Sequence, residues 1–326
     1  METVNKPVFT LLYSNKNITT AMEPYVTSVR YTDHKSNISD EIEIEIADRD
    51  FLFQSSWYPD KGANLNLQIG YDGSALQPCG DFEIDELEYL CPPDTMRIKA
   101  LAAGIKQSTR QENSIAYENT TLQGIAQQVA NRNGYTLIGD IDNIPITRAT
   151  QDKETDLAFL KRVANSYGYI FKITGSKLVF FKIDALDDNA AVLSLDRSEL
   201  ISVNLRDKTF ETYTACTVSY HDPKTKKLIE SSQPGEAATA NVLKIHERCE
   251  NQGQAQVKSK AALQRKNTNA LIGTIILFGN PSICAGINIT LTGFYHLNGT
   301  YSIESAEHII SRNRGYITSM EVRKID

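Results

Sequence analysis

Apolar and polar residues alternate regularly in the first hundred residues. Within residues 40–48, three isoleucines alternate with three glutamates, and residues 65–71 and 96–100 show the same period. A period of two with β-branched residues on one side is typical of a half-buried strand. The apolar positions of residues 82–89 change parity after Asp85, which predicts a β-bulge that returns both halves of the strand to one core. Short strands separated by turn residues indicate a small barrel or sandwich.

The apolar positions take a helical period in the middle of the chain. Residues 122–130 and 157–167 carry apolar side chains at spacings of three and four, which predicts two helices. The two segments resemble each other at an offset of 34 residues, and no third copy follows. A hairpin is predicted over residues 169–183. The candidate N-cap residues are Thr120 or Thr121 for the first helix and Thr155 or Asp156 for the second.

The last part of the chain returns to strands. Residues 201–205 and 213–220 have the pattern of extended segments, and residues 252–267 have that of a polar, weakly amphipathic helix. Further strands are predicted near residues 271–278, 287–294, 300–306 and 315–324.

The order of these patterns predicts a mainly β fold with an α+β insert. In this prediction, two small β-barrel-like domains are joined by a helix-containing α+β unit. We place the first barrel at residues 1–105, the middle unit with two helices at residues 106–190, and the second barrel with one helix at residues 191–326.

The charge of the chain is unevenly distributed. The formal net charge is −6, and residues 1–100 contribute 8 basic and 17 acidic side chains, or −9, which leaves +3 for the rest. Proteins that coat nucleic acid or bind anionic membranes normally carry net positive charge. We therefore expect no stable binding of nucleic acid, and we expect the first third of the chain to repel polyanions.

No segment has the pattern of a membrane anchor or a secretory signal. The longest apolar run, residues 271–279, is far shorter than the ~20 residues that span a bilayer, so membrane insertion is not expected. The N-terminal segment lacks the continuous apolar stretch of a secretory signal. The cysteines are odd in number and widely spaced, without a CxxC pair, so reduced thiols are expected rather than a disulfide framework.

Side chains that usually carry catalysis or bind metals are scattered along the chain. The histidines and cysteines do not occur at zinc-binding spacing, and the common nucleophile, metalloprotease, dinucleotide and phosphate-loop motifs are missing from the sequence. Asp140 and Asp142 lack the spacing of an EF-hand, so a turn before Pro145 is favoured over a calcium site. We predict no catalytic residue, no cofactor and no metal site.

The acidic strand within residues 40–48 allows three interpretations. The first is a solvated sheet face, because Glu41, Glu43 and Glu45 alternate with apolar residues and so stand side by side. The second is a functional acidic surface such as the wall of a channel. The third is a catalytic pair like that of a glycosidase, which requires two carboxylates that flank a sugar. We name Glu41, Glu43 and Glu45 as a candidate channel-lining acidic face.

Several segments together resemble one protein family. Residues 154–181 are similar to the most characteristic motif of phage late control D proteins, the baseplate hubs of contractile tails. The hub part of type VI secretion spike proteins shares this motif. The order and spacing of the matching segments make the resemblance specific, and it covers nearly the whole chain. The other matching segments are residues 40–48, 57–59, 61–62, 67–70, 80–85, 91–93, 279–281, 285–286, 299–303 and His308.

The resemblance implies a structural role without catalysis. Hubs of this family are trimers whose subunits each carry two similar barrels, so that three chains form a pseudo-sixfold ring. That ring adapts the hexameric tail tube to a trimeric spike. The chain ends soon after its last predicted barrel strand, so we expect a hub only, with the spike on a separate polypeptide and no fused lysozyme or peptidase.

The resemblance also implies partners and a location. The expected partners are two further copies of the chain, the tail spike, the tail tube and other baseplate proteins, with a tape-measure protein as a further candidate. The expected location is the virion tail baseplate or an equivalent particle, assembled in the bacterial host cytoplasm. Two alternatives stay open at this point: a hydrolase of cell-wall glycans and a carbohydrate-binding β module.

Overall fold

The structure, a computed structural model, describes residues 5–36, 39–104, 111–208, 212–222, 226–235, 241–268 and 270–325. The first part of the chain forms β1 (Pro7–Tyr13), β2 (Lys16–Asn17), α1 (Thr19–Met22), β3 (Val26–His34), β4 (Glu41–Ala47), β5 (Asn64–Tyr71), β6 (Gln77–Leu90) and β7 (Thr95–Ala102). The middle part forms β8 (Glu112–Thr121), α2 (Leu122–Asn133), β9 (Thr136–Ile138), β10 (Pro145–Thr155), α3 (Asp156–Ser166), β11 (Tyr169–Thr174), β12 (Lys177–Lys182) and α4 (Ile183–Asp187).

The last part of the chain is again dominated by strands. The mainly β fold with a helix-containing α+β insert is therefore confirmed. Its elements are β13 (Leu193–Asp196), β14 (Leu200–Asp207), β15 (Ala215–Asp222), β16 (Lys227–Pro234), β17 (Val242–His246), α5 (Gln252–Asn267), β18 (Leu271–Phe278), β19 (Asn288–Thr292), β20 (Gly299–Ser311) and β21 (Gly315–Lys324).

One long sheet runs through both ends of the chain. Its strand order is β14-β18-β21-β20-β3-β4-β7-β6-β5-β1-β2, and β19 also pairs with β20 and carries β13. The strands β1 to β7 enclose one hydrophobic core, which includes Leu11, Ile44 and Phe82. The strands β13, β14 and β18 to β21 enclose a second core, which includes Ile275, Ile289 and Tyr301.

The middle unit has its own core between two helices and two small sheets. β8 and β10 pair with each other in an antiparallel ribbon, while β9, β11 and β12 form a separate three-stranded sheet. The rings of Tyr117 and Phe159 stack with their centroids 5.0 Å apart. Thr121 and Thr155 cap α2 and α3, because their hydroxyl oxygens accept hydrogen bonds from the backbone N–H groups of Gly124 and Ala158.

The helix α5 does not lie in the second barrel. It packs against β15, β16 and β17, which form a small sheet with a core of its own that includes Cys216, Val218 and Ala255. Glu250 fastens this segment to the middle unit, since its carboxylate accepts hydrogen bonds from the backbone N–H groups of Thr147 (2.6 Å) and Arg148 (3.0 Å).

A buried ion cluster joins the middle unit to the long sheet. Lys172 of β11 lies 2.7 Å from Asp33 and 2.9 Å from Asp40. Burial alone would lower the pKa of Lys172, but the two carboxylates raise it overall. Burial raises the pKa of Asp40 in spite of the Lys172 ammonium. These largely buried charges therefore help to position the middle unit against the sheet.

Within the described ranges, no helix has the length and apolar character that crossing a membrane requires.

Candidate assembly face of the long sheet

The strand β4 separates a buried side of the sheet from an accessible one. Its three isoleucines are fully buried in the first core, and Glu41, Glu43 and Glu45 point to the opposite side, where they are partly exposed. The same side of the neighbouring strands carries further charges. We define the acidic face as Glu41, Glu43, Glu45, Glu83, Glu86 and Glu88 together with Arg30, Arg97 and Lys99.

Cations stand beside the three glutamates of β4. Arg97 of β7 lies 3.8 Å from Glu43 and 3.7 Å from Glu45, and Lys99 lies 3.4 Å from Glu41. The acidic face is therefore not a bare row of carboxylates. Partly exposed pairs of this kind contribute only about 0–1 kcal/mol to stability, but they reduce the local charge.

The face nevertheless keeps a negative excess. The nine residues of the acidic face are six carboxylates and three cations, so its formal charge is −3. Asp81 and Asp85 of β6 are also exposed and add to this excess. The sequence pattern identified the glutamates, but not Arg97 and Lys99 as their neighbours. Their alternating positions in β7 were visible, whereas the placement of β7 between β4 and β6 depends on long-range pairing.

The two barrels repeat one arrangement of four strands. The order β3-β4-β7-β6 in the first matches the order β14-β18-β21-β20 in the second. Both sets contain bulges at the same two places, which fixes the correspondence residue by residue. The bulges lie between Val26 and Ser28 in β3, between Leu200 and Ser202 in β14, between Ile84 and Glu86 in β6, and between Ile303 and Ser305 in β20.

The two four-strand sets differ in the charge of their outer side. The positions of the second barrel that correspond to the acidic face are mostly neutral. They are Asn204, Ile272, Thr274, Ile276, Ser302, Ser305, Ser319, Glu307 and Glu321, of which the two glutamates alone are charged. Charged side chains, nine at these positions of the first barrel and two at those of the second, are therefore concentrated on the outer side of the first barrel.

The barrels are joined by strand pairing. Residues 305–311 of β20 pair in antiparallel fashion with residues 28–34 of β3, so the two four-strand sets form one run of eight strands from β14 to β6. Arg30 on β3 also lies 3.4 Å from Glu307 on β20. The outer side of both barrels is thus one continuous surface.

The other sequence candidates lie apart from this surface. Asp142 accepts a hydrogen bond from Lys182 at 2.8 Å, which lowers the pKa of its carboxyl group. His246 has its Nδ1 atom 2.8 Å from the hydroxyl of Ser219, and Cys249 is fully buried. In the part of the chain that the structure describes, no group of three or more potential metal ligands comes together.

Comparison with known proteins identifies the family of the chain. The family model for the phage tail baseplate hub (GPD) matches residues 100–314. The chain belongs to the phage tail baseplate hub family. The resemblance to late control D proteins is confirmed by this match.

Individual hub relatives agree in sequence and in fold. The chain is 30% identical over 178 residues to the probable baseplate hub protein of Escherichia phage 186, a match that covers 54% of this chain and 45% of the relative. The chain therefore spans about half the length of that relative. The 43 kDa tail protein of prophage MuSo2 from Shewanella oneidensis has the same fold, with a TM-score of 0.75 at 16% identity and 98% of each chain covered.

The fold also occurs outside phage tails. An Escherichia coli component of the type VI secretion system aligns with a TM-score of 0.57 at 12% identity, over 91% of this hub chain and 73% of the other. At this level of identity the likeness concerns the fold alone.

Proposed function

We propose that the chain is the structural hub of a contractile phage tail or a related injection particle. Three copies would form a ring that adapts the hexameric tail tube to a trimeric spike. Family membership supports the hub assignment. Since each chain contains two similar four-strand sets, three chains supply six, which suits a junction between sixfold and threefold symmetry.

The observation that carries this proposal is the pairing of β20 with β3. It places the two barrels side by side in one sheet, with their corresponding strands in the same order. A ring of barrels requires this kind of lateral contact, repeated at each step. The chain itself therefore contains one step of the proposed ring.

The proposal includes a location, partners and a division of the chain. The hub would lie in the virion baseplate, or its equivalent, after assembly in the host cytoplasm. It would contact the spike, the tube and other baseplate proteins, and would catalyse no reaction. We retain the boundaries 1–105, 106–190 and 191–326, of which the last contains the second barrel together with the small sheet of β15, β16 and β17 and the helix α5.

Electron microscopy of the purified chain tests the ring. We expect annular particles with six similar lobes around a central opening. Separate two-lobed particles at every concentration would contradict the proposal. Clearing of peptidoglycan in a gel assay would contradict its non-enzymatic part and favour a cell-wall hydrolase.

We further propose that the acidic face lines the channel of the ring. Its formal charge of −3 per chain would act against the adhesion of nucleic acid, because phosphates are held by cationic surfaces in a salt-dependent way. The support is the position of Glu41, Glu43 and Glu45 on the outer side of the continuous run of eight strands. The nearby cations weaken the repulsion without reversing its sign.

A triple substitution tests the acidic face. Glu41→Gln, Glu43→Gln and Glu45→Gln bring the formal charge of the acidic face to zero and free Lys99 from Glu41, whereas Arg97 keeps its contact with Glu88. We expect several-fold more DNA to be retained at low salt than by the unchanged chain. The matched control carries the same change on Glu112, Glu118 and Glu230, which are exposed on other sheets. Equal retention by both variants would contradict the proposed role of the face.

A further inference from the structure

Two strand edges remain open at opposite ends of the run of eight strands. In the described residues, β14 pairs only with β18, and residues 85–90 of β6 pair only with β7. An edge of this kind presents unpaired backbone N–H and C=O groups that can pair with another chain. The two edges belong to different barrels and are therefore two separate surfaces of the chain.

The internal repeat shows which strand of the other barrel corresponds to each strand with an open edge. β14 corresponds to β3, and β6 corresponds to β20, according to the shared strand order and the shared bulges. Inside the chain, β20 and β3 are paired with each other. The corresponding partner of β6 is therefore β14, and within one chain these two strands are separated by the full width of the run.

We propose that residues 85–90 of β6 pair with β14 of an adjacent copy of this chain, in the register that β20 and β3 use. The proposal rests on the proposed ring and specifies its subunit contact. Because Ser305 pairs with His34 and Glu307 pairs with Thr32, the repeat sets the register between copies. The resulting pairs are Glu86 with Lys208, Glu88 with Arg206, Tyr89 with Leu205, and Leu90 with Asn204 of the adjacent copy.

The charges of the two edges are complementary in this register. Glu86 and Glu88 come from one edge, and Lys208 and Arg206 from the other. Among the described residues, Glu86, Arg206 and Lys208 form no ion pair within the chain, whereas Glu88 contacts Arg97. Opposite charges directly across an antiparallel ladder favour one register over its alternatives. The repeat and the charges thus indicate the same pairing independently.

The contact is head-to-tail, since different surfaces meet on the two copies. Such contacts generate a closed ring when the rotation between copies closes and a filament when it does not. A ring of three chains would contain three pairings within chains and three between chains, all built by the same strands or their counterparts.

Cysteine cross-linking tests the register. Residues directly opposite in an antiparallel ladder have Cα atoms ~4.5–5.5 Å apart, a separation that a disulfide accepts. We expect Glu86→Cys with Lys208→Cys to yield covalent species of two and three chains on mild oxidation. The variant should also carry Cys91→Ser, because Cys91 is exposed. The matched control is Glu86→Cys with Asn204→Cys, whose partners would lie ~13 Å apart along the strand and should not link.

A charge reversal provides a second measurement. Glu86→Lys should weaken the association of copies in sedimentation experiments, and Lys208→Glu in the same chain should restore it. The thermal unfolding midpoint of each variant shows whether its fold is retained. Failure of the second substitution to restore association would overturn the proposed pairing.

The outcomes of these experiments distinguish failure of the proposed register from failure of the proposed ring. A ring that forms without the Glu86–Lys208 cross-link, or that links the control pair equally well, overturns the proposed register and leaves the ring standing. A chain that stays monomeric and does not cross-link contradicts both proposals.

Discussion

At the scale of single residues, Asp156 holds the middle unit together. Its carboxylate is almost fully buried and accepts two hydrogen bonds from Arg132, at 2.9 and 2.8 Å. It also accepts one from Asn133 at 2.7 Å, one from Gln151 at 2.9 Å and one from Asn113 at 3.0 Å. Burial alone would raise the pKa of Asp156, but these donors, Arg132 first, lower it overall. One side chain thus connects α2, α3, β8 and β10.

Replacing this carboxylate should destabilise the protein. Asp156→Asn places an N–H donor among groups that are all donors and removes the ion pair with Arg132. Breaking a buried pair in this way costs about 3 kcal/mol. Urea denaturation should show this loss, and Asp152→Asn, an exposed change nearby, should show almost none.

The same pair of variants has a defined pH dependence. Because the pKa of Asp156 is lower in the folded chain than in the unfolded chain, its contribution is present above the unfolded value of about 3.9 and is lost as the pH falls below it. The difference in stability between the unchanged chain and Asp156→Asn should therefore be constant near pH 7 and shrink below about pH 4. A difference that is independent of pH would contradict the assignment of the charged form.

Among the secondary-structure elements, those that are stabilised by residues close together in the sequence were predicted from the pattern of apolar positions. The helices α2 and α3 were expected from apolar spacing, and the bulge in β6 was expected from the change of parity after Asp85. Both expectations are confirmed. Each depends on residues close together in the sequence, where side-chain periodicity reports directly on which face is buried.

Other elements were not visible in the sequence. β8 and β10 form a two-stranded ribbon whose side chains are largely polar and exposed, so their apolar alternation is weak. They are positioned by contacts with α2 and α3 and by the network around Asp156. The strand order β3-β4-β7-β6, which brings Arg97 and Lys99 to the acidic face, likewise depends on pairing between distant segments.

The choice of N-cap for α2 gives an element-scale prediction. Sequence left Thr120 and Thr121 open, and the structure selects Thr121, whose hydroxyl oxygen lies 3.0 Å from the backbone nitrogen of Gly124. Thr121→Ala should lower the free energy of unfolding by about 1 kcal/mol. Thr120→Ala is the matched control and should cost clearly less. Equal losses in urea denaturation would contradict the assigned cap.

At the scale of the whole molecule, the long sheet organises both barrels. The sequence indicated two barrels and an acidic strand, but the pairing of β20 with β3 makes the barrels neighbours in one surface. Composition alone placed the excess acid in the first third of the chain. The structure places six glutamates on the outer side of the first barrel, whereas the corresponding positions of the second barrel carry two, Glu307 and Glu321.

The number of subunits depends on the geometry between copies of the chain. The pairing of β20 with β3 provides one contact between neighbouring barrels of the ring. The open edges of β6 and β14 would provide the contact with the next copy. The number of steps depends on the angle between copies, which local patterns do not determine. The proposed number of three rests on family membership and on the match between six barrels and a hexameric tube.

The mass of the assembled particle in solution is the decisive measurement for the proposed ring. Sedimentation or light scattering over a wide range of protein concentration should show a particle with three times the chain mass of 36.4 kDa. It should be stable to dilution if strand pairing joins the copies. A particle of 36.4 kDa throughout that range, both alone and with the spike protein present, would contradict the proposed ring.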